Sequence, residues 1–246
     1  MTEPISHSPT DSAEGMAVAA PDASENHRTR VGRERRGRTG RRILAAVFTI
    51  VDNEGVDSLT IDRIAETAGL SRGSFYTYAA HLDDLLVRIS HLIWSQVRLE
   101  QNELLGHSAT PLVRMSLSLR YGILRSIGDP ALGPILFKAL DWSGTFGREM
   151  RTAVLSDLTA ADRDGTIDVD SLDTAADIGM GLMIAIMHSA LVDGPSPAKL
   201  SEQSVMVFRA LGLSRSDAHE LAYLPLPKRP TAPLRDRVLA TGWNDL

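Results

Sequence analysis

The segment TIDRIAETAGLSRGSFYTYA, residues 60–79, constrains the fold more than any other part of the chain. It has the pattern of two short helices joined by a tight turn. Thr60 and Ser71 are residue types that favour helix N-caps, and Gly69 tolerates the positive φ that such a turn requires. The alanines before this glycine are small enough for two helices to cross closely. The pattern therefore predicts a helix-turn-helix.

The second helix of this pair exposes side chains of the kind that bind DNA. It offers a cation, hydroxyl groups, two phenols and a glycine that permits close approach, which suits a major groove and its phosphates. These residues are Arg72, Gly73, Ser74, Tyr76, Thr77 and Tyr78. Short helix pairs joined by glycine also occur in proteins that bind no DNA. The spacing alone leaves both interpretations open.

Arginine is concentrated immediately before this helix pair. The 246-residue chain has a formal net charge of -5, yet residues 28–42 contain eight Arg and one acid. Residues 1–27, in contrast, contain five acids and no Lys or Arg. One basic segment on an acidic chain indicates a localised contact with a polyanion, and the planar arginine fork suits phosphates and base edges. A solvated low-complexity tail is the alternative, but the density of arginine favours nucleic acid.

Apolar residues recur at helical spacing through the rest of the chain, and no segment alternates as a strand does. We therefore predict an all-α protein. Besides the helix pair, the predicted helices cover about residues 41–54, which form the first helix, and 83–105, 110–128, 131–140, 146–161, 170–192 and 200–212. The run Ile178 to Val192 contains no Asp, Glu, Lys or Arg. At 15 residues it is shorter than the roughly 20 needed to span a membrane, so we interpret it as a buried helix.

Residues 39 to about 90 resemble the N-terminal domain of the TetR family of bacterial transcriptional regulators. The residues that carry the resemblance are Gly55, Leu59-Thr60, Ile64-Ala65, Ala68-Gly69, Ser71, Gly73, Phe75-Tyr76 and Tyr78, together with the pattern of the first helix. The resemblance implies a three-helix DNA-binding head and a larger helical domain that binds an effector and forms a homodimer. It also implies a palindromic operator.

The chain accordingly divides into four segments. Residues 1–38 are expected to be a disordered N-terminal extension with a basic arm. Residues 39–82 are expected to form the helix-turn-helix DNA-binding domain, and residues 83–224 the helical effector-binding and dimerisation domain. Residues 225–246, which are rich in proline, are expected to be an irregular tail.

The resemblance also implies which residues contact DNA. Thr60 is expected to touch a phosphate, as are the phenols of Tyr76 and Tyr78. The residues at the start of the second helix are expected to face bases or backbone. The complete predicted set is Arg41, Thr60, Arg63, Ser71, Arg72, Gly73, Ser74, Tyr76, Thr77 and Tyr78.

The chain departs from the family pattern just after these residues. The family usually continues with an aromatic residue and then a Ser-Lys pair, whose lysine approaches the DNA backbone. Here the matching positions are Ala79, His81 and Leu82, and Asp83-Asp84 follow. One phosphate contact is lost and two acids are added. The arginine-rich arm can compensate, because phosphate contacts are largely interchangeable in affinity.

The remaining two-thirds of the chain predict two further sites. The very apolar eighth helix and the last helix are expected to form the dimer interface through Met183, Met187, Leu191, Phe208 and Leu211. An ordinary monomeric core is the alternative. Large or polar groups among aliphatic neighbours are candidates for an effector pocket, although core packing explains each of them as well. They are Trp94, Arg120, Tyr121, Phe137, Trp142 and His188.

Several classes of protein have no support in the sequence. The chain has no cysteine, which excludes a disulfide scaffold, a thiolate zinc site and a cysteine nucleophile. Neither a metal-binding histidine spacing nor a nucleophile turn is present. We therefore predict no enzyme, no metal and no cofactor. The N-terminus lacks the pattern of a secretory signal, so we expect a cytoplasmic protein.

We predict that the chain is a sequence-specific DNA-binding regulator, with repression as the expectation that the resemblance carries. A small-molecule effector would release it from a palindromic operator. The alternative is a helical small-molecule-binding or protein-interaction module with weakened DNA binding.

Overall fold

The computed structural model describes residues 23–105, 109–140 and 144–241, and these contain eleven α-helices and a 3₁₀ turn at Val56–Ser58. The helices are α1 (Ala23–Glu54), α2 (Ile61–Thr67), α3 (Arg72–Phe75), α4 (Leu82–Leu105), α5 (Pro111–Ile127), α6 (Leu132–Ala139), α7 (Thr145–Arg163), α8 (Leu172–Asp193), α9 (Pro197–Ala210), α10 (Arg215–Ala222) and α11 (Leu234–Thr241). No β-strand occurs in the described ranges. The prediction of an all-α protein is confirmed.

Serine and threonine side chains cap the N-termini of many of these helices. In each case the side-chain oxygen accepts a hydrogen bond from the backbone N–H three residues later, which satisfies a donor that the helix itself leaves unpaired. The capping residues are Thr60, Ser71, Thr110, Ser171, Ser196 and Ser214. Thr60 and Ser71 are the caps that the sequence predicts.

The arginine-rich segment is helical, which corrects the prediction of a disordered extension. Helix α1 begins at Ala23, spans 32 residues and is about 48 Å long at 1.5 Å per residue. Its later half is nucleated by fully buried residues such as Ile43 and Leu44. Arginine has a high helix propensity, so the helix continues backwards from this packed half. Residues 1–22 of the predicted extension lie outside the described residues.

The head consists of α1, α2, α3 and the first turns of α4. Its core includes Ile43, Ile64, Phe75 and Leu85, all with no exposed surface. The same apolar cluster continues along α4 into the larger domain, the body, so head and body share one core. In the body, α5 lies at the centre and packs against α4 and every helix from α6 to α10.

The C-terminal tail is not irregular throughout, which corrects a second prediction. Prolines interrupt the chain after α10, but α11 follows Pro233 and packs on α4 and α1. Leu234 and Val238, four residues apart on one helical face, are both buried. The sequence pattern of this short face was hidden by the prolines around it. Residues 242–246 lie outside the described residues.

Helix α8 is the most apolar helix of the described chain. By length and composition alone it could cross a membrane, and within the protomer only 33% of its most apolar 18-residue window is buried. The interpretation of a buried helix therefore needs correction for this chain taken alone. Much of its apolar surface is open.

Candidate nucleic-acid interface and effector cavity

The turn between α2 and α3 depends on Gly69. Its φ of +62° lies in the left-handed region that favours glycine. The guanidinium of Arg42, on α1, donates a hydrogen bond from Nη2 to the Gly69 carbonyl oxygen at 2.9 Å. A Cβ added at Gly69 would lie only 2.8 Å from the same nitrogen. Glycine thus permits both the turn and the close approach of α1.

Helix α3 is held to the head core by one buried side chain and is capped at its N-terminus. Phe75 is fully buried in the head core. The Ser71 Oγ accepts a hydrogen bond from the Ser74 backbone N–H at 3.2 Å, and the two hydroxyl oxygens lie 2.8 Å apart. With Phe75 directed inward, Arg72, Gly73 and Ser74 are all exposed. This is the arrangement that a groove-reading helix requires.

Arg72 has two partners within the head. Its Nε lies 3.1 Å from the Asp62 carboxylate of α2. A side-chain hydrogen bond with Tyr76, followed by the charge of Asp62, raises the pKa of Arg72 above its ordinary value. The phenol of Tyr76 is itself 45% exposed. Asp62 and Tyr76 therefore both engage the exposed Arg72. Sequence reasoning missed Asp62, although an acid in the first turn of a helix is a common feature.

Tyr78 and Thr77 attach the end of the helix-turn-helix to α1. The half-buried Tyr78 hydroxyl donates to the Arg36 carbonyl oxygen at 3.4 Å, and Arg36 Nη2 donates to the Thr77 carbonyl oxygen at 3.5 Å. Tyr78 therefore holds the arginine-rich part of α1 beside α3. The sequence analysis did not single out Arg36, because its contact with Thr77 joins residues 41 positions apart.

The other predicted DNA contacts also lie on the surface of the head. Arg41 and Thr60 are exposed, and Arg63 forms an ion pair with Glu54 of α1. Asp83 and Asp84 are exposed in the first turn of α4, where the helix dipole favours acids. Of the ten predicted residues, nine are exposed and Tyr78 is half-buried.

The body contains a cavity of about 250 Å³ between α4, α5, α7, α8 and α9. Most of its walls are apolar and flexible or aromatic, among them Trp94, Met115, Phe146, Met150, Met183 and Phe208. Arg98, Gln101, Arg114 and Asp157 also line it. Burial raises the pKa of Asp157, an effect that the charges of Arg114 and Arg98 oppose.

Of the six predicted effector residues, Trp94 lines this cavity and four others do not. Arg120 is buried and donates from Nη1 to the Leu224 carbonyl oxygen at 2.9 Å, just beyond the end of α10. Burial lowers the pKa of Arg120. The buried Tyr121 hydroxyl donates to Glu100 at 2.9 Å. Its burial and this hydrogen bond raise the pKa of Tyr121 to about 12. Both residues therefore hold helices together.

Phe137 and His188 do not line the cavity. The rings of Phe137 and His188 lie against each other, with centroids 5.7 Å apart. His188 is exposed on α8. Trp142 lies outside the described residues.

The residues predicted for the dimer interface are buried or half-buried within this chain. Met183, Met187, Phe208 and Leu211 all line the cavity, and the last three are at most 5% exposed. Leu191 is half-buried and packs on the main core. A helix that is apolar on every side has no sequence periodicity to show which side faces inward. Packing decides it.

No group of three or more His, Asp or Glu residues in the described part of the chain is arranged to hold a metal ion.

No family model matches the chain, and a search of curated proteins finds no significant match. Solved structures do share its fold. RolR in complex with resorcinol is 24% identical, covers 79% of this chain and 98% of its own, and superposes with a TM-score of 0.62. A gamma-butyrolactone receptor, described as an ArpA-like protein, is 20% identical with a TM-score of 0.53, covering 76% of this chain and 96% of its own.

A third structure was solved with DNA. The TetR family protein CprB from Streptomyces coelicolor, in complex with its biological operator sequence, is 24% identical to this chain. It covers 76% of this chain and 96% of its own, with a TM-score of 0.52. The chain therefore has the TetR-like fold: a small helix-turn-helix head on a larger helical body.

Proposed function

We propose that this protein is a DNA-binding transcriptional regulator that responds to a small-molecule effector. The observation that carries the proposal is the surface of the head. A capped, phenylalanine-anchored α3 exposes Arg72, Ser74 and Tyr76, and Tyr78 holds the arginine-rich part of α1 beside it. A cationic helix next to a groove-reading helix supplies phosphate contacts together with base contacts. The fold shared with operator-bound CprB supports this use of the head.

The regulator acts as a homodimer in this proposal. The exposed side of α8 carries Ile178, Gly181, Ala185, His188 and Val192, spaced alternately by three and four residues. This is the spacing of a helix seam, and Ile178 and Val192 are 48% and 69% exposed. Covering that seam with the same seam of a second copy buries its apolar surface. Two heads related by a twofold axis then read the two halves of a palindrome, about 34–36 Å apart.

The cavity is placed to couple an effector to the heads. Its walls include Trp94 and Gln101 of α4, a helix that begins in the head, and Leu136 of α6. Two residues beyond Leu136, the Lys138 Nζ lies 2.5 Å from Asp57 in the head. A ligand that changes the spacing of these helices changes the separation of the heads and so shifts the population away from the DNA-binding form. Repression, relieved by the effector, is the expected outcome, in the cytoplasm where the chromosome lies.

The test begins with selection of a DNA sequence by the full chain from random duplexes. Fluorescence anisotropy then compares the selected duplex with a scrambled one between about 50 and 200 mM salt. We expect clear preference for the selected duplex and a steep loss of affinity with salt.

Arg72→Ala should reduce the preference for the selected duplex over the scrambled one by about 5- to 150-fold, the range of one base contact. Arg35→Gln with Arg38→Gln should weaken binding to both duplexes and reduce the salt slope by about two.

A matched control is available on the same helix. Arg30 lies further from the helix-turn-helix and forms an exposed pair with Glu34 at 3.9 Å. Arg30→Gln should change neither preference nor salt slope as much as the double substitution does.

Two observations favour a second function: the pairing of Arg72 with Asp62, and the acids at the start of α4. These features weaken a DNA-binding surface and suit a ligand-binding or protein-interaction module. Selection that yields no duplex preferred over random DNA at any salt concentration would support this second function and exclude the first.

A further inference from the structure

The wall of the cavity contains a buried amide group with an unused donor. Gln101 is only 5% exposed, and its Oε1 accepts a hydrogen bond from the Ser118 hydroxyl at 3.4 Å. Its Nε2 is buried and has no partner among the described residues. Both Gln101 Nε2 and the Trp94 ring lie within 4 Å of the point where a Cβ on Gly122 would stand. The amide is therefore oriented by Ser118, with its donor beside the aromatic wall. Buried donors are normally satisfied, so a ligand acceptor is the expected partner.

A carboxylate also lines the cavity without a hydrogen-bond donor of its own in the described chain. Asp157 of α7 is half-buried, and the nearby cations Arg98 of α4 and Arg114 of α5 affect it through their charge. Arg114 is occupied in part by the Ala109 carbonyl oxygen, to which its Nη1 donates at 2.6 Å. A carboxylate can only accept hydrogen bonds, so its natural ligand partner is a hydroxyl group.

We propose that the effector is a small uncharged molecule with an apolar body, an oxygen acceptor for Gln101 Nε2 and a hydroxyl group that donates to Asp157. This inference rests on the proposed function only in treating the cavity as the effector site. The charge follows from the wall: an anionic ligand would meet Asp157, and a cationic ligand would meet Arg98 and Arg114. Because Arg98 and Arg114 already offset the charge of Asp157, an uncharged ligand also avoids the cost of burying an unpaired charge between mostly apolar walls.

The size follows from the volume of the cavity. An apolar protein cavity of about 150 Å³ holds benzene, which has six heavy atoms. By proportion, the 250 Å³ here accommodates about ten heavy atoms. Trp94, Phe146 and Phe208 contribute aromatic surface to the walls, which favours a flat ring as the apolar body.

A set of three probes of similar size tests this chemistry on the full chain without DNA. The probes are 4-hydroxyacetophenone, which carries a hydroxyl and a carbonyl; ethylbenzene, which carries neither; and 4-ethylbenzoate, which is anionic. Isothermal titration calorimetry measures the three dissociation constants. Because the chain has three tryptophans, quenching of tryptophan fluorescence reports contact with Trp94 only where Trp94→Phe abolishes it. We expect 4-hydroxyacetophenone to bind at least about tenfold more tightly than either of the other two, the change that one or two hydrogen bonds provide.

Substitutions test separately the proposed ligand contacts of Gln101 and Asp157. Gln101→Leu and Asp157→Asn should each weaken 4-hydroxyacetophenone about 5- to 30-fold and leave ethylbenzene almost unchanged. Gln96→Leu is a matched control, because Gln96 lies on the same helix, is also 5% exposed and does not line the cavity. Asp162→Asn is the control on α7, at an exposed position. Circular dichroism confirms that each variant is folded, and the wild-type comparison of probes stands even if a variant is not.

Three results would overturn the inference: tighter binding of 4-ethylbenzoate, equal binding of ethylbenzene, or no binding of any probe at about 1 mM. The proposed function fails separately. Probe binding without any preferred DNA duplex would leave the cavity chemistry intact and remove the regulator, whereas specific DNA binding with no probe bound would do the reverse.

Discussion

Glu100 is a carboxylate buried without any solvent exposure, yet it remains ionised. Burial alone would raise its pKa, but hydrogen bonds from Arg125 and Tyr121 outweigh burial, and the pKa is lowered overall. Arg125 donates from Nε at 2.7 Å and from Nη2 at 2.9 Å. Arg237 of α11 lies 3.7 Å away. This one side chain therefore joins α4, α5 and α11.

Replacing Glu100 should be among the most destabilising single changes in the body. Glu100→Ala leaves Arg125 and Arg237 beside an uncharged site, and breaking a buried ion pair in this way costs about 3–5 kcal/mol. Because the folded-state pKa is lowered, the stabilisation is present above the ordinary pKa of Glu and is lost as pH falls through the folded value. Urea denaturation at neutral and acid pH should show the wild type and variant converging at low pH.

Glu103→Ala is the control for this change, because the exposed Glu103 carboxylate also pairs with Arg237. An exposed pair contributes about 0–1 kcal/mol. A loss from Glu100→Ala as small as that from Glu103→Ala would contradict the role of the buried carboxylate.

Asp157 should show the opposite effect. Burial raises its pKa, so the ionised carboxylate is less favourable in the folded protein than in the unfolded chain. Asp157→Asn should therefore raise the Tm at neutral pH, and the gain should shrink as pH falls through the raised folded pKa, where the wild type becomes protonated. Differential scanning calorimetry across that range checks the sign. A lower Tm for Asp157→Asn at neutral pH would show that the carboxylate stabilises the fold.

At the scale of elements, α11 joins the head to the body. Its Arg235 lies between two carboxylates: Nη1 is 2.5 Å from Asp52 of α1, and Nη2 is 2.5 Å from Asp129, between α5 and α6. The same guanidinium lies over the ring of Phe48 in the head core, 5.4 Å from its centroid. Hydrogen bonds with Asp52 and then Asp129 raise the pKa of Arg235. A short helix near the C-terminus thus restrains the angle between head and body.

Arg235→Ala should lower the free energy of unfolding by about 2 kcal/mol, because several charge-assisted hydrogen bonds in a partly exposed setting are lost. It should also increase hydrogen exchange of the backbone amides of α11. Arg30→Ala removes a cation whose ion pair is 66% exposed on both sides, and it should have almost no effect. Equal effects of the two substitutions would show that α11 is not a structural link.

At the scale of the whole molecule, the proposed homodimer depends on the exposed seam of α8. Ile178→Asp places a charge at the N-terminal end of this seam, where burying it against a second copy without a partner is costly. We expect a shift from dimer to monomer in analytical ultracentrifugation and a loss of affinity for a two-site duplex. Leu99→Asp is the matched control, since Leu99 on α4 is equally exposed, at 48%. A dimer that survives Ile178→Asp would place the interface elsewhere.

Local chemistry determined the helices and the helix-turn-helix. The caps at Thr60 and Ser71, the turn at Gly69 and the anchor at Phe75 act within a few residues of one another, so the sequence alone predicts them. The exposure of the residues beside Phe75 follows from the same periodicity. The α1 extension was mispredicted because composition indicates low hydrophobicity but does not show that a packed helix continues into it.

Tertiary structure alone decided the interior of the body. Arg120 and Tyr121 stood out as candidate ligand contacts by residue type, but their partners, Leu224 and Glu100, lie 104 and 21 residues away. Gln101 and Asp157 become candidate ligand contacts only because α4 and α7 line the same cavity. The inward face of α8 was equally undetermined, because a helix apolar on all sides can pack in several rotations. Long-range packing selects one of them, and no local pattern encodes that selection.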